Sequence, residues 1–418
     1  MVGRTKCLLP ICIDSTSISS RRRLWTPELS SLLINNVSDI PYSKTASIIN
    51  DLQHRNGDSK LSEVTLNECV MSWGDKIYQN QLHQAEEALS SYGFDPKTGL
   101  LRPGEELATS ITNPVFNEEE TKRTLDDFNS KLYEYKNKYP DTPIDIGEAL
   151  SSLECPNNTT ILMIDDIGVK RQKEKRSINN NEGYKSAKTV INTVVWIRSS
   201  EGTYTIAAEN TKQGLIMGLG FMLKNKLLEN RQLIIFFDGA KEIRNYAREI
   251  YSFHKPLKLY LDWYHVYRRI AENLSMALKC GKENRERNQK YLEEIMRKIW
   301  FNQIDKAIDI LYSIDSSIIR NIKKINDTID YLNNRRPYLY NYAVRKIVGL
   351  INSSNRVEDM NNQVVARRQK KKGMSWSVSG SRGLAHLETL RVNNEISEWI
   401  HYGNIPFKLN SCTYADAC

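Results

Sequence analysis

The chain has no long apolar run. Nothing in its 418 residues approaches the roughly 18 consecutive apolar residues of a membrane span, so no transmembrane helix is expected. The opening MVGRTKCLLPICIDS lacks the longer apolar core and small-residue cleavage site of a secretory signal, which points to a cytoplasmic protein. Cysteines number seven, an odd count scattered along a long chain, which argues against a disulfide framework and for a reducing compartment. Cys7 and Cys12 form a C-x4-C pair with no second pair nearby, so they read as ordinary thiols rather than a complete zinc site. No G-x-G-x-x-G follows the first predicted strand, which removes the usual dinucleotide-binding fold.

What is present is a globular composition, 40% hydrophobic and 26% charged, in a chain long enough for two or three domains. Basic residues outnumber acidic ones, 59 to 50, giving a net charge of +9. Such an excess bears on nucleic acid only where it clusters. It clusters at Arg367, Arg368, Lys370, Lys371 and Lys372.

Residues 1–85 read as helical. In PYSKTASIINDLQHR, Ser43 is a candidate N-cap and Ala46, Ile48, Ile49 and Leu52 share a face. In TLNECVMSWGDKIY, Thr65 and Glu68 have capping-box spacing, and Leu66, Val70 and Trp73 make an apolar stripe. The pair is compatible with a helix-turn-helix that enters DNA, although the joining NGDSKLSEV is long for a tight turn. Residues 86–155 read as a linker with one exposed helix ended by Pro140.

From 159 the texture changes. TTILMID, AKTVINTVVWIRS and GTYTIAA read as strands and TKQGLIMGLGFMLKNKL as a helix. RQLIIFFD is then a strand, AKEIRNYAREIYS a helix and LKLYLDWYH a fifth strand. Three strands followed by alternating helices and strands is the order of an α/β ribonuclease H-like core with a mixed five-stranded sheet, placed at 156–264. Residues 265–350 keep apolar residues at three- and four-residue steps and read as an all-α insertion. Residues 351–400 would carry C-terminal catalytic helices, and 401–418 a tail.

Three acids stand out. Asp165 ends the first strand, Asp238 the fourth, and Glu358 begins the late helix. In a sheet of this order the first and fourth strands are neighbours, so their terminal carboxylates converge, and converging carboxylates repel unless a cation shares them. Oxygen-only ligands suit Mg²⁺ or Mn²⁺, and a pair of such ions can drive in-line attack on a phosphodiester. Plainer readings stand beside this: Asp238 could cap its helix, and DDIG could be a turn. Asp166 rivals Asp165, but adjacent strand residues face opposite ways, and Asp165 is favoured as the ligand. Asp262 and His265 could be a strand end with a buried, hydrogen-bonded histidine, or could support the site from behind or orient DNA. If 355–372 is one helix, Val365, Gln369 and Lys372 fall near the face of Glu358. The cations behind it would then hold DNA phosphates, the alternative being a solvated charged face.

The stretch VVARRQKKKGMSWSVSGSRGLAHLETLRVNN resembles the C-terminal signature of DDE-type insertion-sequence transposases, of the ISKra-like and ISLre-like groups. Arg368, Lys370, Gly373, Met374, Trp376, Ser377, Gly380, Leu384 and Arg391 carry the match. DGA at 238–240 and LDWYHV at 261–266 are similar to that family's blocks, as is DDIGV at 165–169, where Asp166 replaces its glycine. WTPELSSLL and SEVTLNECVMSWG resemble its N-terminal DNA-binding region. The resemblance implies Asp165, Asp238 and Glu358 as the catalytic and metal-binding triad, with two Mg²⁺ (or Mn²⁺) ions. Arg367, Arg368, Lys370, Lys371, Lys372 and Trp376 are the expected DNA-contacting residues. It further implies double-stranded DNA partners, both terminal inverted repeats and target, bound by a homo-oligomer in a prokaryotic nucleoid. A domesticated DNA-binding protein without catalysis and a stand-alone nuclease of the same fold are the rival readings.

Overall fold

The computed structural model describes residues 26–57, 60–172, 188–371 and 373–410. Cys7, Cys12 and Lys372 lie outside them. The chain divides into two compact units. The first comprises Met1–Glu106, Ile164–Lys226 and Val357–Cys418, and the second Leu107–Met163 and Leu227–Arg356.

The five strands are β1 (Thr159–Lys170), β2 (Thr189–Ser199), β3 (Gly202–Ala208), β4 (Gln232–Phe237) and β5 (Leu257–Leu261). They form one sheet in the order β3-β2-β1-β4-β5. Helices Thr211–Lys224 and Lys241–Ile250 fall after β3 and β4, so the expected succession of elements is the observed one. The sheet is mixed: β1–β4 and β4–β5 pair in parallel, whereas β2–β3 is antiparallel. Strand β4, QLIIFF, is buried from Leu233 to Phe237, the unbroken apolar run that an interior parallel strand needs.

In the first unit a single 29-residue helix, Glu63–Ser91, packs against the helices Thr211–Lys224 and Val378–Val392. Small residues make both approaches close. A Cβ on Gly74 would stand 2.2 Å from the Gly383 carbonyl oxygen, and one on Gly220 would stand 2.7 Å from the Ala85 backbone. The second helix of the helix-turn-helix reading is thus packed along two others. The stripe Leu66, Val70 and Trp73 is buried within the unit that also holds β2 and β3. The boundary expected at 85 falls inside the Glu63–Ser91 helix. The capping expectations also shift: Ser62 accepts from the Thr65 amide at 3.1 Å, and the helix at 42 has no side-chain cap. Thr26 caps the first helix, Pro27–Val37, whose leading proline has no amide to lose.

In the second unit the expected linker proves to be packed structure. Phe128 and Leu132 of helix Glu118–Lys138 join Ile144, Ala149, Val344 and Val348 in one apolar cluster. From Trp263 to Val348 the described chain forms helices and short 3₁₀ turns. Behind β4 and β5 the buried Arg345 pairs with Glu154, its guanidinium 5.8, 4.9 and 5.3 Å from the rings of Phe236, Tyr260 and Tyr340. No helix among the described residues is long and apolar enough to cross a membrane.

Candidate catalytic carboxylates and the basic turn

Strand β1 runs on to Lys170, so Asp165 lies inside it and not at its end as expected, and in the first unit the strand turns its adjacent aspartates to different partners, as alternation requires. Both Asp166 oxygens are occupied, Oδ1 by the Thr193 hydroxyl and Oδ2 by the Thr211 hydroxyl at 3.0 Å. Asp165 instead meets the late helix: Asn361 Nδ2 donates to its Oδ2 at 2.6 Å, and the Asp166 amide donates to its Oδ1 at 2.9 Å. Asn361 closes the helix Asn355–Asn361, three residues after the half-buried Glu358. Residues three apart share a helix face. The face that carries Glu358 is therefore the one joined to Asp165. Sequence reasoning missed Asn361, although its E-x-x-N spacing from Glu358 was there to be read.

In the second unit, Asp238 and Asp262 each follow the last rung of the parallel β4–β5 pair, Phe237↔Leu261. Asp238 Oδ1 accepts from the Ala240 amide at 2.7 Å, closing a tight turn in which Gly239 has φ +93. Asp262 is fully buried and caps the helix Trp263–Ala277. Its Oδ2 accepts from the His265 amide at 3.1 Å and lies 3.0 Å from His265 Nδ1, while its Oδ1 accepts from the Ser354 amide at 2.6 Å. Burial pushes the Asp262 carboxyl up, but the bonds from His265 and Ser354 outweigh it and hold the group below the usual carboxylate range. Asp262 and His265 thus form a cap that tethers the chain four residues before Glu358.

The expected continuous helix over 355–372 is interrupted. Residues Asn362–Ala366 form a π-helical segment, followed by one α-turn at Arg367–Gln369. A π segment carries an extra residue per turn and breaks the 100° projection. Val365 and Gln369 consequently point into the unit, with Gln369 Nε2 donating to the Ser381 carbonyl at 2.9 Å.

The basic run divides in the same way. Arg368 is 3% exposed, its guanidinium 5.4 Å from the Tyr42 ring and 5.2 Å from the Trp376 ring, with Nε donating to the Val37 carbonyl. Trp376 is buried too, donating from Nε1 to the Gln369 carbonyl at 3.0 Å. Arg367 pairs with Asp39, and Lys371 Nζ donates to the Asp39 carbonyl at 2.7 Å. Both remain exposed, as does Lys370. The phosphate-holding helix expected from sequence is therefore an exposed turn with Arg367, Lys370 and Lys371, and the expected DNA contacts Arg368 and Trp376 are buried behind it.

Among the described residues no three His, Cys, Asp or Glu side chains are gathered into a metal cage. The donors near Asp165 nonetheless suit a hard cation. Asp165 offers carboxylate oxygen, and Mg²⁺ is usually held by one or two carboxylates with waters and substrate phosphates supplying the rest. The buried Asn361 adds an amide oxygen, Oδ1, that accepts no hydrogen bond among the described residues.

No protein-family model and no curated protein matches the chain. Among solved structures, a pre-cleavage Mos1 transpososome is similar at 10% identity over 59% of this chain and 62% of that one, with TM-score 0.16. A Mos1 mariner paired-end complex with Mn is similar at 12% identity over 56% and 60%, with TM-score 0.14. A Mos1 transposase paired-end complex with the left transposon end gives 10% identity over 78% and 80%, with TM-score 0.16. The chain spans about three fifths of the first two.

Proposed function

We propose that the protein is a DDE-type DNA transposase, which cuts phosphodiester bonds at the ends of its element and joins the freed 3′-hydroxyl to target DNA. The observation that carries this reading is the clip from Asn361 to Asp165, which joins the Glu358 face of the late helix to an aspartate inside β1. Asp165, Asp238 and Glu358 would hold metal, the set that the sequence resemblance implies. Asp166 is left out of the set because two threonine hydroxyls already occupy its carboxylate. Bound Mg²⁺ or Mn²⁺ ions would activate the attacking water or hydroxyl and stabilise the leaving oxygen. Arg367, Lys370 and Lys371, with Lys372 next to them in sequence, would hold DNA phosphates without reading bases. The Asp262–His265 cap would fix the entry to the Glu358 helix. Acting on paired element ends, the protein would work as a homo-oligomer on DNA.

Purified protein incubated with end-bearing DNA and Mg²⁺ should cleave the ends and join them to target DNA. Asp165→Asn, Asp238→Asn and Glu358→Gln should each abolish both steps while leaving end binding in place. Metal-dependent cleavage that survives Glu358→Gln refutes the triad, and cleavage that never yields joined product identifies a plain nuclease instead.

A further inference from the structure

We infer that Asn361 is a fourth oxygen ligand of the metal site, a residue that orients Asp165 with one end of its amide and binds a divalent cation with the other. The inference rests on the proposed use of Asp165 and Glu358, and it adds a residue that this reading does not require.

Three observations converge on it. The Asn361 side chain is 5% exposed, and its Nδ2 is committed to Asp165 Oδ2 at 2.6 Å. That bond fixes which end of the amide is which, because a carboxylate oxygen can only accept. Oδ1 is then left as a buried acceptor with no hydrogen bond among the described residues. Buried acceptors nearly always find a partner, because leaving one unpaired forfeits its hydration. The two amide atoms share one carbon, so Oδ1 necessarily lies close to the Asp165 carboxylate. A neutral oxygen held beside one carboxylate, one helical turn from a second, suits a hard divalent cation and gives an anion nothing to bind.

The backbone supports the same assignment. Asn361 is the last α-helical residue before the π segment Asn362–Ala366. π-turns inside helices occur often at functional sites. Here the extra residue turns both Val364 and Val365 inward. That anchors the helix directly after the amide and holds Asn361 against β1.

Mn²⁺ binding to the full chain without DNA, followed by electron paramagnetic resonance of the free ion, tests this without relying on activity. Wild-type protein should bind Mn²⁺, and Asp165→Asn should lose that binding. Asn361→Ala should weaken affinity by about tenfold, the usual cost of removing a group that supports a metal ligand. Asn361→Asp, nearly the same shape with a charged oxygen, should bind Mn²⁺ more tightly than wild type. Circular dichroism melts establish that each variant is folded, and Asn361→Asp keeps the test decisive if the alanine variant is not. A folded Asn361→Ala or Asn361→Asp with wild-type affinity, alongside a defective Asp165→Asn, overturns the role of Asn361 alone. Unaltered binding in Asp165→Asn overturns the metal site as a whole, and this inference with it.

Discussion

Arg368 is the residue on which the sequence and the structure disagree most usefully, and its replacement separates support from DNA contact. Arg368 is 3% exposed, and its guanidinium packs beside both the Tyr42 and Trp376 rings and donates from Nε to the Val37 carbonyl at 3.1 Å. A hydrogen bond from a charged donor contributes about 1.5–3 kcal/mol. Each ring contact adds roughly 0.5–2 kcal/mol. Against these stands the cost of burying the charge, which also pulls the Arg368 pKa down from its ordinary value. Arg368→Ala removes the contacts and the cost together, strands the Val37 carbonyl and leaves a gap under two rings. The expected net loss is about 2–4 kcal/mol, at the upper end of ordinary single substitutions. Urea unfolding should show a lower midpoint with an unchanged slope. Lys370→Ala, on the exposed turn, should change stability by less than about 0.5 kcal/mol. It should instead reduce the dependence of log K for DNA on log salt by about 0.9. An Arg368→Ala protein as stable as wild type, with that shallower salt dependence, refutes the buried-support assignment.

Two further outcomes test the packing of the first unit. Gly74→Ala places a methyl 2.2 Å from the Gly383 carbonyl oxygen, so the two helices must separate. Despite the better helix propensity of alanine, thermal unfolding should show a loss of about 1–3 kcal/mol, and an unchanged melting temperature would show the crossing to be looser. Glu395 is buried and accepts from the Tyr204 hydroxyl at 3.0 and 2.9 Å, and burial above all raises its pKa from 4.5 to about 7. A folded pKa above the unfolded one means this stabilisation is complete below pH 4.5 and fades as pH rises through about 7. At 1.36 kcal/mol per unit the swing is about 3 kcal/mol. Melting temperatures measured from pH 5 to 8 should fall across that window in wild type and flatten in Glu395→Gln, and an equal fall in both would assign the dependence elsewhere.

The order of the sheet was legible because its signals are local. Apolar runs such as TTILMID and RQLIIFFD mark the strands, and the second also marks its end at Asp238, whereas β1 runs past Asp165 because DIGVK continues the strand with Ile167 and Val169 buried. The N-terminal helices were not, because a stripe such as Leu66, Val70 and Trp73 reports that a face is buried without reporting against what. The overlooked signal was Gly74, a helix-interior glycine whose cost makes sense only where another backbone comes close. The 86–155 stretch looked like a linker because its helix is mostly charged, yet Phe128 and Leu132 one turn apart suffice to dock it. The π segment was invisible for a different reason. A constant 100° step is assumed in any helical projection, and nothing in NQVVA marks the residue at which the backbone is rewound.

The GMSWS stretch, on which the sequence resemblance chiefly rests, acts mainly through the backbone. Gly373 takes φ +84, a left-handed turn that ends the basic run. The Trp376 amide donates to the Lys170 carbonyl at 2.9 Å, and the Gln172 amide donates to the Trp376 carbonyl at 2.8 Å. Ser377 then caps the next helix by accepting from the Gly380 amide at 3.0 Å. Strand β1 is therefore held by the segment after Glu358 at two places, by Asn361 at Asp165 and by Trp376 at its far end. Two attachments on one strand fix both position and direction, which one attachment cannot do. A carboxylate on that strand and a carboxylate on that helix keep their relation only while both attachments hold. The motif thus belongs to the geometry of the acids, and the cations ahead of it are displayed on a turn whose two ends it secures.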